Sequence, residues 1–558
     1  LRSCCIISDF NKIKKALKPE SSVCITGLTE IHKSIIINSL CHYKGARAFC
    51  VANDEQKAQT IVNDLCSMGM KAVFYPSRDF IFREINGKSS DYEHQRLNVL
   101  YRMLRGEYDV AVSCLDAAAQ YTVPPEILIS SVLNLKVGAE ISTEKCIKTL
   151  TLLGYERFDQ VDGIGQFSLR GGILDFFMPD SENPVRAEFW GDEITDLNYF
   201  DIETQRRIEK IDSIILTPST EILIENKDEL ADKITQKAFL LKSDNQQKAK
   251  EILLSEAQRI RDGLSISSID KFIGLIYDKP ASLFDYLDKD EIVFVSEYKN
   301  VKERARALDF QFKETLVEYF KDGTLCRGFE TFSLDFNSSM ELIRKYPSVF
   351  MDVFASGSYD FPLSELVNIT AKQLGLWNGS IKYIQDDLDN YIEKEYTTAV
   401  LAGTEKGAEN LYDNLRKLGY PAQLIEDAEE IAPKGLYVLS GALSSGFEFP
   451  TEKFALISQG LSNAYKSKRK IRKKNNNGQE IYSLSELNKG DYVVHSTHGI
   501  GIFGGIQKMN IHGITKDYIR IEYARGDVLY VPVTQLDLVS KYIGPREDSR
   551  VKINRLGS

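Results

Sequence analysis

Three regimes of hydrophobic patterning divide the 558 residues. From residue 22 to about 120, short apolar runs alternate with amphipathic ones. Ser22–Thr26, Ala46–Ala52, Ala72–Tyr75 and Val110–Ser113 predict strands. Asp54–Met68, with Ile61, Leu65 and Met68 on one face, and Ser90–Leu104 predict helices. That alternation predicts a largely parallel sheet covered by helices. Between Phe158 and Ser219 the period drops to two, with turn signals at Asp162-Gly163, Gly171-Gly172 and Asp180–Pro184. A small meander of antiparallel hairpins follows. In Val185–Trp190 the alternation sends Val185, Ala187 and Phe189 inward and sets Arg186, Glu188 and Trp190 side by side outside. In the last stretch Tyr492–His495, Gly499–Asn510, Thr515–Tyr523 and Val528–Val533 alternate between glycine turns. They predict a five-stranded barrel closed by a helix over Gln535–Tyr542.

The segments between these regimes are less periodic. Leu128–Lys136 reads as a strand entering the meander module, and Ser142 caps a helix over Thr143–Leu153 that Gly154 ends. Pro218 closes the module. Glu221–Ile260 reads as a polar, solvated helical surface, and Val301–Tyr319 as a long amphipathic helix. A further α/β pattern has helices over Ile381–Asn390 and Lys406–Leu418. Its strands fall on Thr397–Ala402, Ala422–Ile425, Gly435–Leu439 and Phe454–Ile457. No chemistry is read in it.

Bulk properties narrow the function. A net charge of −10 supplies no whole-chain basic field for nucleic acid. Seven basic residues do fall between Lys466 and Lys474, before Asn475-Asn476-Asn477-Gly478. That run fits a solvated linker and also fits incidental phosphate contact. Nine cysteines without C-x-x-C spacing fit reduced thiols in the cytosol. No apolar run reaches membrane-spanning length. His495 and His498 lack cysteine or carboxylate neighbours at ligand spacing, so they read as turn histidines and no metal is expected.

One motif carries nucleotide chemistry in damaged form. Gly27-Leu28-Thr29-Glu30-Ile31-His32-Lys33-Ser34 follows the phosphate-loop spacing, with His32 where the second glycine belongs. Glycines there let backbone N–H groups close around phosphates. The acidic magnesium pair expected after a later strand falls on Ser296-Glu297, with serine in the aspartate position. Both halves of the site are degenerate, and Ser296 and Glu297 read as ordinary surface positions. Arg186 beside Trp190 fits an interface. It also fits a bland reading in which Trp190 covers a loop and Arg186 pairs with Glu188.

Family resemblance enters on longer words. Leu153-Gly154-Tyr155, Asp159-Gln160-Val161, Phe167–Asp175 and Phe200-Asp201 with Thr204-Gln205-Arg206 resemble the segment shared by the nucleotide excision repair protein UvrB and the transcription-repair coupling factor family. The resemblance implies a separate domain whose outer face docks UvrA. Its contact arginines fall on Arg170 and Arg186, and its contact phenylalanine falls on Trp190. The short link over residues 76–89 leaves no room for UvrB's long hairpin, which favours the coupling factor. Gly490–His495, His498–Gly501 and Leu529–Val533 resemble the RNA polymerase-interacting module of the coupling factor and CarD-type regulators. This implies that an edge strand at Gly504–Asn510 pairs with the polymerase β subunit, through Ile506, Gln507, Lys508 and Met509.

Together these resemblances imply a multidomain α/β chain, the non-motor half of a coupling factor. Residues 1–121 and 220–370 form a degenerate P-loop, helicase-like parallel-sheet domain, and residues 122–219 an inserted α+β UvrA-interacting domain. Residues 371–463 form a small α/β domain of unknown role, 464–486 a basic linker, and 487–545 a Tudor/SH3-like barrel. Residues 546–558 lead toward motor domains. The expected role is that of an adaptor in the cytoplasm, with no catalytic residues and no cofactor of its own. ATP, magnesium and double-stranded DNA belong to the motor domains. The alternatives are a CarD-like regulator acting through polymerase alone, and a UvrB-like damage-binding ATPase.

Overall fold

Strands that are buried at every position lie in the middle of a seven-stranded sheet, all of its pairs parallel. Its order is Glu365–Asn368, Ser22–Thr26, Ser348–Asp352, Ile292–Ser296, Ala48–Ala52, Val110–Cys114, Ala72–Tyr75. Five of these strands are buried throughout, as a sheet covered on both faces requires. This computed structural model describes residues 10–542 apart from 79, 81, 83–90, 243–245, 265, 267, 356–358, 427–430, 460–477, 481–488, 496–497, 512–513, 525–526 and 533–538. The basic run Lys466–Lys474 lies outside the described residues.

The two faces of the parallel sheet feed two different cores. Phe49, Val51, Val293, Val295 and Phe350 join a core that continues through Leu97 and Leu100 into Leu174, Phe176 and Ala187 of the meander. Val23, Ile25, Cys50, Val112, Phe294 and Met351 join a core that continues into Leu439, Phe447, Phe449 and Leu456 of the small α/β module. The nucleotide fold is therefore the shared middle layer.

The meander is a six-stranded sheet in sequence order, antiparallel except where Glu156-Arg157 joins Gln166–Arg170. Val185, Ala187 and Phe189 are buried, as the alternation predicts. The module enters differently from the prediction. Leu128–Lys136 is not one strand: Pro125–Ser130 is a helix with proline in its first turn, and the strand is Leu133–Lys136. Proline at that position is pre-set for helix, which outweighs the β-branched run behind it.

Where the module rejoins the scaffold, Glu221 is buried rather than solvated. Its carboxylate accepts from Arg96 Nε at 2.7 Å and Nη2 at 3.2 Å, and from Thr122 Oγ1 at 2.6 Å. Arg78 pairs with Asp270 and Glu221, and Glu93 accepts from Thr220 Oγ1 and from the Glu221 N–H, both at 2.8 Å. Removing one member would leave a buried charge uncompensated, so this cluster fixes how the inserted module is seated. The helices that follow, Lys227–Leu240 and Gln247–Arg261, also bury a face through Leu230, Ile234, Leu253 and Ile260. The helix predicted at Val301–Tyr319 runs over Tyr298–Asp322.

The small module has the order Lys372–Leu374, Gly446–Phe449, Phe454–Ser458, Thr397–Leu401, Leu436–Leu439, Ala422–Leu424. Its four predicted strands are parallel neighbours, and two antiparallel strands are added side by side at one end of the sheet.

The last sheet has six strands among the described residues, where five were predicted. Its order is Gly478–Glu480, Val539–Tyr542, Tyr492–His495, Gly499–Ile511, Ile514–Glu522, Val528–Pro532. Two expectations are corrected here. Gly478–Glu480, placed in the linker, pairs with residues 540–542. Val539–Tyr542, placed in a closing helix, is a strand against Val493–His495. Val539 is needed in the core with Val493, Phe503 and Leu529. Tertiary packing overrides local propensity there.

Candidate docking surfaces and a neutralised nucleotide site

The outer face of the meander is built by cross-strand register. Arg170 lies opposite Ile173, Ser168 opposite Asp175, and Asp175 opposite Arg186. At the turn, a Cβ on Gly172 would meet the Phe189 carbonyl oxygen at 2.7 Å, so glycine is what lets the hairpin lie so close to the next strand. Trp190 is 82% exposed and covers no loop. Arg186 does not pair with Glu188. It makes a fork to Asp175, Nε to Oδ1 at 2.7 Å and Nη2 to Oδ2 at 2.9 Å, and stacks 4.5 Å from the Phe200 ring centroid. Arg170 Nη2 reaches the same Asp175 Oδ2 at 2.8 Å. Glu188 pairs with Arg207 instead.

Arg170, Arg186 and Trp190 therefore share one face, but not in one state. The Arg186 side chain is only 14% exposed, whereas that of Arg170 is 48% exposed. Asp175, which organises both arginines, was missed by sequence reasoning. The signal was present, since Asp175 and Arg186 occupy facing positions once the hairpin register is drawn.

The strand proposed for polymerase contact is continuous from Gly499 to Ile511. Gly499–Ile502 pairs with Tyr492–His495, and from Ile502 onward the strand pairs with Ile514–Glu522. Past an irregularity between Phe503 and Gly505 it pairs only with Ile514–Glu522 among the described residues. Among the described residues one backbone edge there has no strand neighbour, which suits strand addition. Gln507 is exposed, while the side chains of Ile506, Lys508 and Met509 lie outside the described residues. His498 N–H donates to His495 Nδ1 at 3.3 Å.

The phosphate-loop remnant is filled by protein. Gly27 N–H donates to the Val353 carbonyl at 3.0 Å and Leu28 N–H to the Asp352 carbonyl at 3.4 Å. Those amides no longer converge on an anion. Gly27 has φ +86°, and a Cβ there would lie 2.0 Å from the Ile369 carbonyl oxygen. The Lys33 ammonium is fully buried between Glu30 at 3.0 Å and Glu297 at 2.6 Å. Glu297, with φ +56°, also accepts from Val353 N–H at 3.0 Å, and Ser296 is buried. The expectation that Ser296 and Glu297 are ordinary surface positions is overturned: Glu297 is the counter-charge of Lys33. Ser34 is fully buried on the same helix.

His32 turns away from the loop. Its Nδ1 is 2.7 Å from Thr29 Oγ1, and its ring meets Phe449 and Phe447 edge-on at 5.0 and 5.7 Å. Burial there pushes its pKa down to about 4, so the imidazole is neutral. Nearby, Asp64 accepts from the backbone N–H and Oγ of Ser444, both at 2.7 Å. The small module thus docks on the helices flanking the old site, a contact spanning hundreds of residues that no local pattern could reveal. The residues present do not fit a bound nucleotide, because Lys33 and the Gly27 and Leu28 amides already have internal partners.

Comparison with known proteins gives these surfaces a context. Residues 133–222 match the UvrB interaction domain, and residues 487–543 match the CarD-like/TRCF RID domain. The transcription-repair-coupling factor of Bacillus subtilis (strain 168) is 30% identical over 560 residues, which takes in 99% of this chain and 47% of that protein. The factor of Staphylococcus epidermidis (strain ATCC 35984) is 26% identical over 552 residues, 96% of this chain and 46% of that protein. Over nearly its whole length the chain is similar to these transcription-repair-coupling factors. It spans about half the length of the curated relatives it matches.

Within a transcription-repair-coupling factor framework, the matched UvrB interaction domain contains the whole meander with Arg170, Asp175, Arg186 and Trp190. The matched RID domain contains the half-paired strand. The neutralised nucleotide fold falls outside both. Among the described residues no helix is long and apolar enough to cross a membrane, and no group of three metal-ligating side chains occurs. The seven described cysteines are free thiols, all buried but Cys66.

Proposed function

We propose that this chain is an adaptor of transcription-coupled DNA repair, joining RNA polymerase to UvrA. The observation that carries the reading is that one chain holds both a UvrB interaction domain and a CarD-like/TRCF RID domain. The polymerase β subunit adds a strand along Gly504–Asn510, where the backbone edge is open and Met509 supplies an adaptable apolar side chain. UvrA docks on the outer meander face at Trp190 and Arg170, with Arg186 beneath them. The nucleotide fold is a scaffold that takes neither ATP nor magnesium and turns nothing over. ATP-driven translocation and double-stranded DNA contact belong to the part of the relatives that this chain does not match.

The test is retention of purified RNA polymerase and UvrA by the tagged chain. Both are expected to be retained, separately and together. Arg170→Glu should release UvrA alone, and Met509→Asp should release polymerase alone. A chain that holds polymerase but never UvrA is a transcription regulator, and the adaptor reading is then wrong. Micromolar ATP affinity in calorimetry would replace it with the damage-binding ATPase.

A further inference from the structure

The docking face contains a carboxylate that faces no solvent. Asp175 is fully buried, yet it sits on the outward side of the Ile173–Phe176 strand, directly opposite Arg186. Its two oxygens accept three hydrogen bonds from two arginines on neighbouring strands. A buried carboxylate is retained only where such bonds offset its desolvation.

The two arginines it holds are used differently. Arg186 has every nitrogen engaged: Nε and Nη2 on Asp175, Nη2 also on Gln205 Oε1 at 3.2 Å, and Nη1 on the Gln205 carbonyl at 3.3 Å. Its plane lies over Phe200. Arg170 makes one bond among the described residues, through Nη2, and is half-exposed. A guanidinium offers five N–H donors in a rigid fork, so most of those on Arg170 still point outward. One end is pinned, which removes part of the ordering cost that binding would otherwise carry.

Charge on the face limits what can be received. Arg207 and Lys210 are matched by Glu188 and Asp196. Arg170 and Arg186 share the single Asp175, leaving one positive charge in surplus. A polyphosphate backbone would meet Glu188 and Asp196 as well. A single carboxylate set in an apolar surface meets Arg170 with Ile173 opposite it and the exposed Trp190 on the same face. We infer that Asp175 is the positioning residue of this face. It locks Arg186 as a base plate and presents the outward edge of Arg170 to a carboxylate on the partner. This rests on the UvrA-docking reading and assigns that site its geometry and the chemistry it recognises.

The experiment uses the whole chain in four forms: wild type, Asp175→Asn, Arg170→Ala and the double variant. Each is titrated with UvrA by calorimetry. Separately, and without any partner, phenylglyoxal modification of Arg186 and Arg170 is timed by peptide mass spectrometry. Asp175→Asn is expected to weaken UvrA binding at least tenfold and to speed Arg186 modification at least tenfold. Arg170→Ala should absorb the binding effect, so that the double variant binds like Arg170→Ala alone. Where Asn at 175 lowers the folded fraction, Asp175→Glu keeps the charge, displaces it by one methylene, and should show the same pattern at smaller size. Wild-type affinity in the 175 variants, or effects of 175 and 170 that multiply, would overturn the inference. If the wild-type chain does not bind UvrA the docking reading falls, while unchanged modification rates would by themselves refute the positioning role.

Discussion

Lys33 and Arg170 are each a cation held by carboxylates, and they have opposite fates. Lys33 is enclosed, with Glu30 on one side and Glu297, from the far end of another strand, on the other. The amides that would have joined it around a phosphate are bonded to Val353 and Asp352. Arg170 has one carboxylate, already shared with Arg186, and keeps about half its surface in water on the same face as Trp190. A site becomes scaffold when its charges are satisfied from within, and stays a docking surface when one is left over. At Lys33 the carboxylates of Glu30 and Glu297 stand where a ligand's negative charge would otherwise be.

The contrast is sharpest in what removal of each cation does. Lys33→Met leaves the partly buried Glu297 without its partner and should cost about 3 kcal/mol in urea denaturation. It should gain no ATP affinity. Trp190→Ala, on the open surface, should barely move the urea midpoint yet cost about 2–4 kcal/mol of UvrA affinity, as an exposed aromatic anchor does. If instead it destabilises the fold and leaves affinity alone, the two regions are not different in kind.

A pH series tests the enclosed side more finely. Because burial holds His32 near 4, below the ordinary value of about 6.5, the unfolded chain protonates first on acidification. Stability from keeping His32 neutral is complete above about 6.5 and is lost as pH falls toward 4. Asp64 acts in the opposite direction, since burial raises it to about 6 and the folded form takes up that proton first. Comparing wild type with His32→Leu isolates the histidine. Between pH 6.5 and 5 the wild type should lose about 2 kcal/mol more than the variant. Equal pH slopes in the two proteins would mean that His32 is not sealed against Phe447 and Phe449.

The smallest effect is expected from Lys210→Ala, which removes an exposed partner of Asp196. Its urea midpoint should shift by less than about 0.5 kcal/mol. A larger loss would show that the outer meander face also depends on its ion pairs for stability.

Much of the architecture was legible because period and burial are local consequences of sequence. Uninterrupted apolar runs such as Ser22–Thr26 can only be covered on both faces, and the alternation of Val185–Trp190 admits one inward set. The damaged phosphate loop and the candidate docking residues were legible for the same reason, as words of fixed spacing. Misreadings came where neighbours outvoted propensity. Val539–Tyr542 became a strand because Val493–His495 offers it a ladder, and Pro125 turned an apparent strand into helix.

By itself, the chain's order of residues determined most of the strands of the parallel sheet and the meander, which side chains of Val185–Trp190 face together, and that the second loop glycine is missing. Only the tertiary structure decided that Glu297 neutralises Lys33 across 264 positions, that Phe447 and Phe449 seal His32, and that Asp175 holds two arginines at once. The reason is physical. Periodicity is set within a few residues, whereas the partner of a buried charge is chosen by which distant atoms the completed core brings within hydrogen-bond reach.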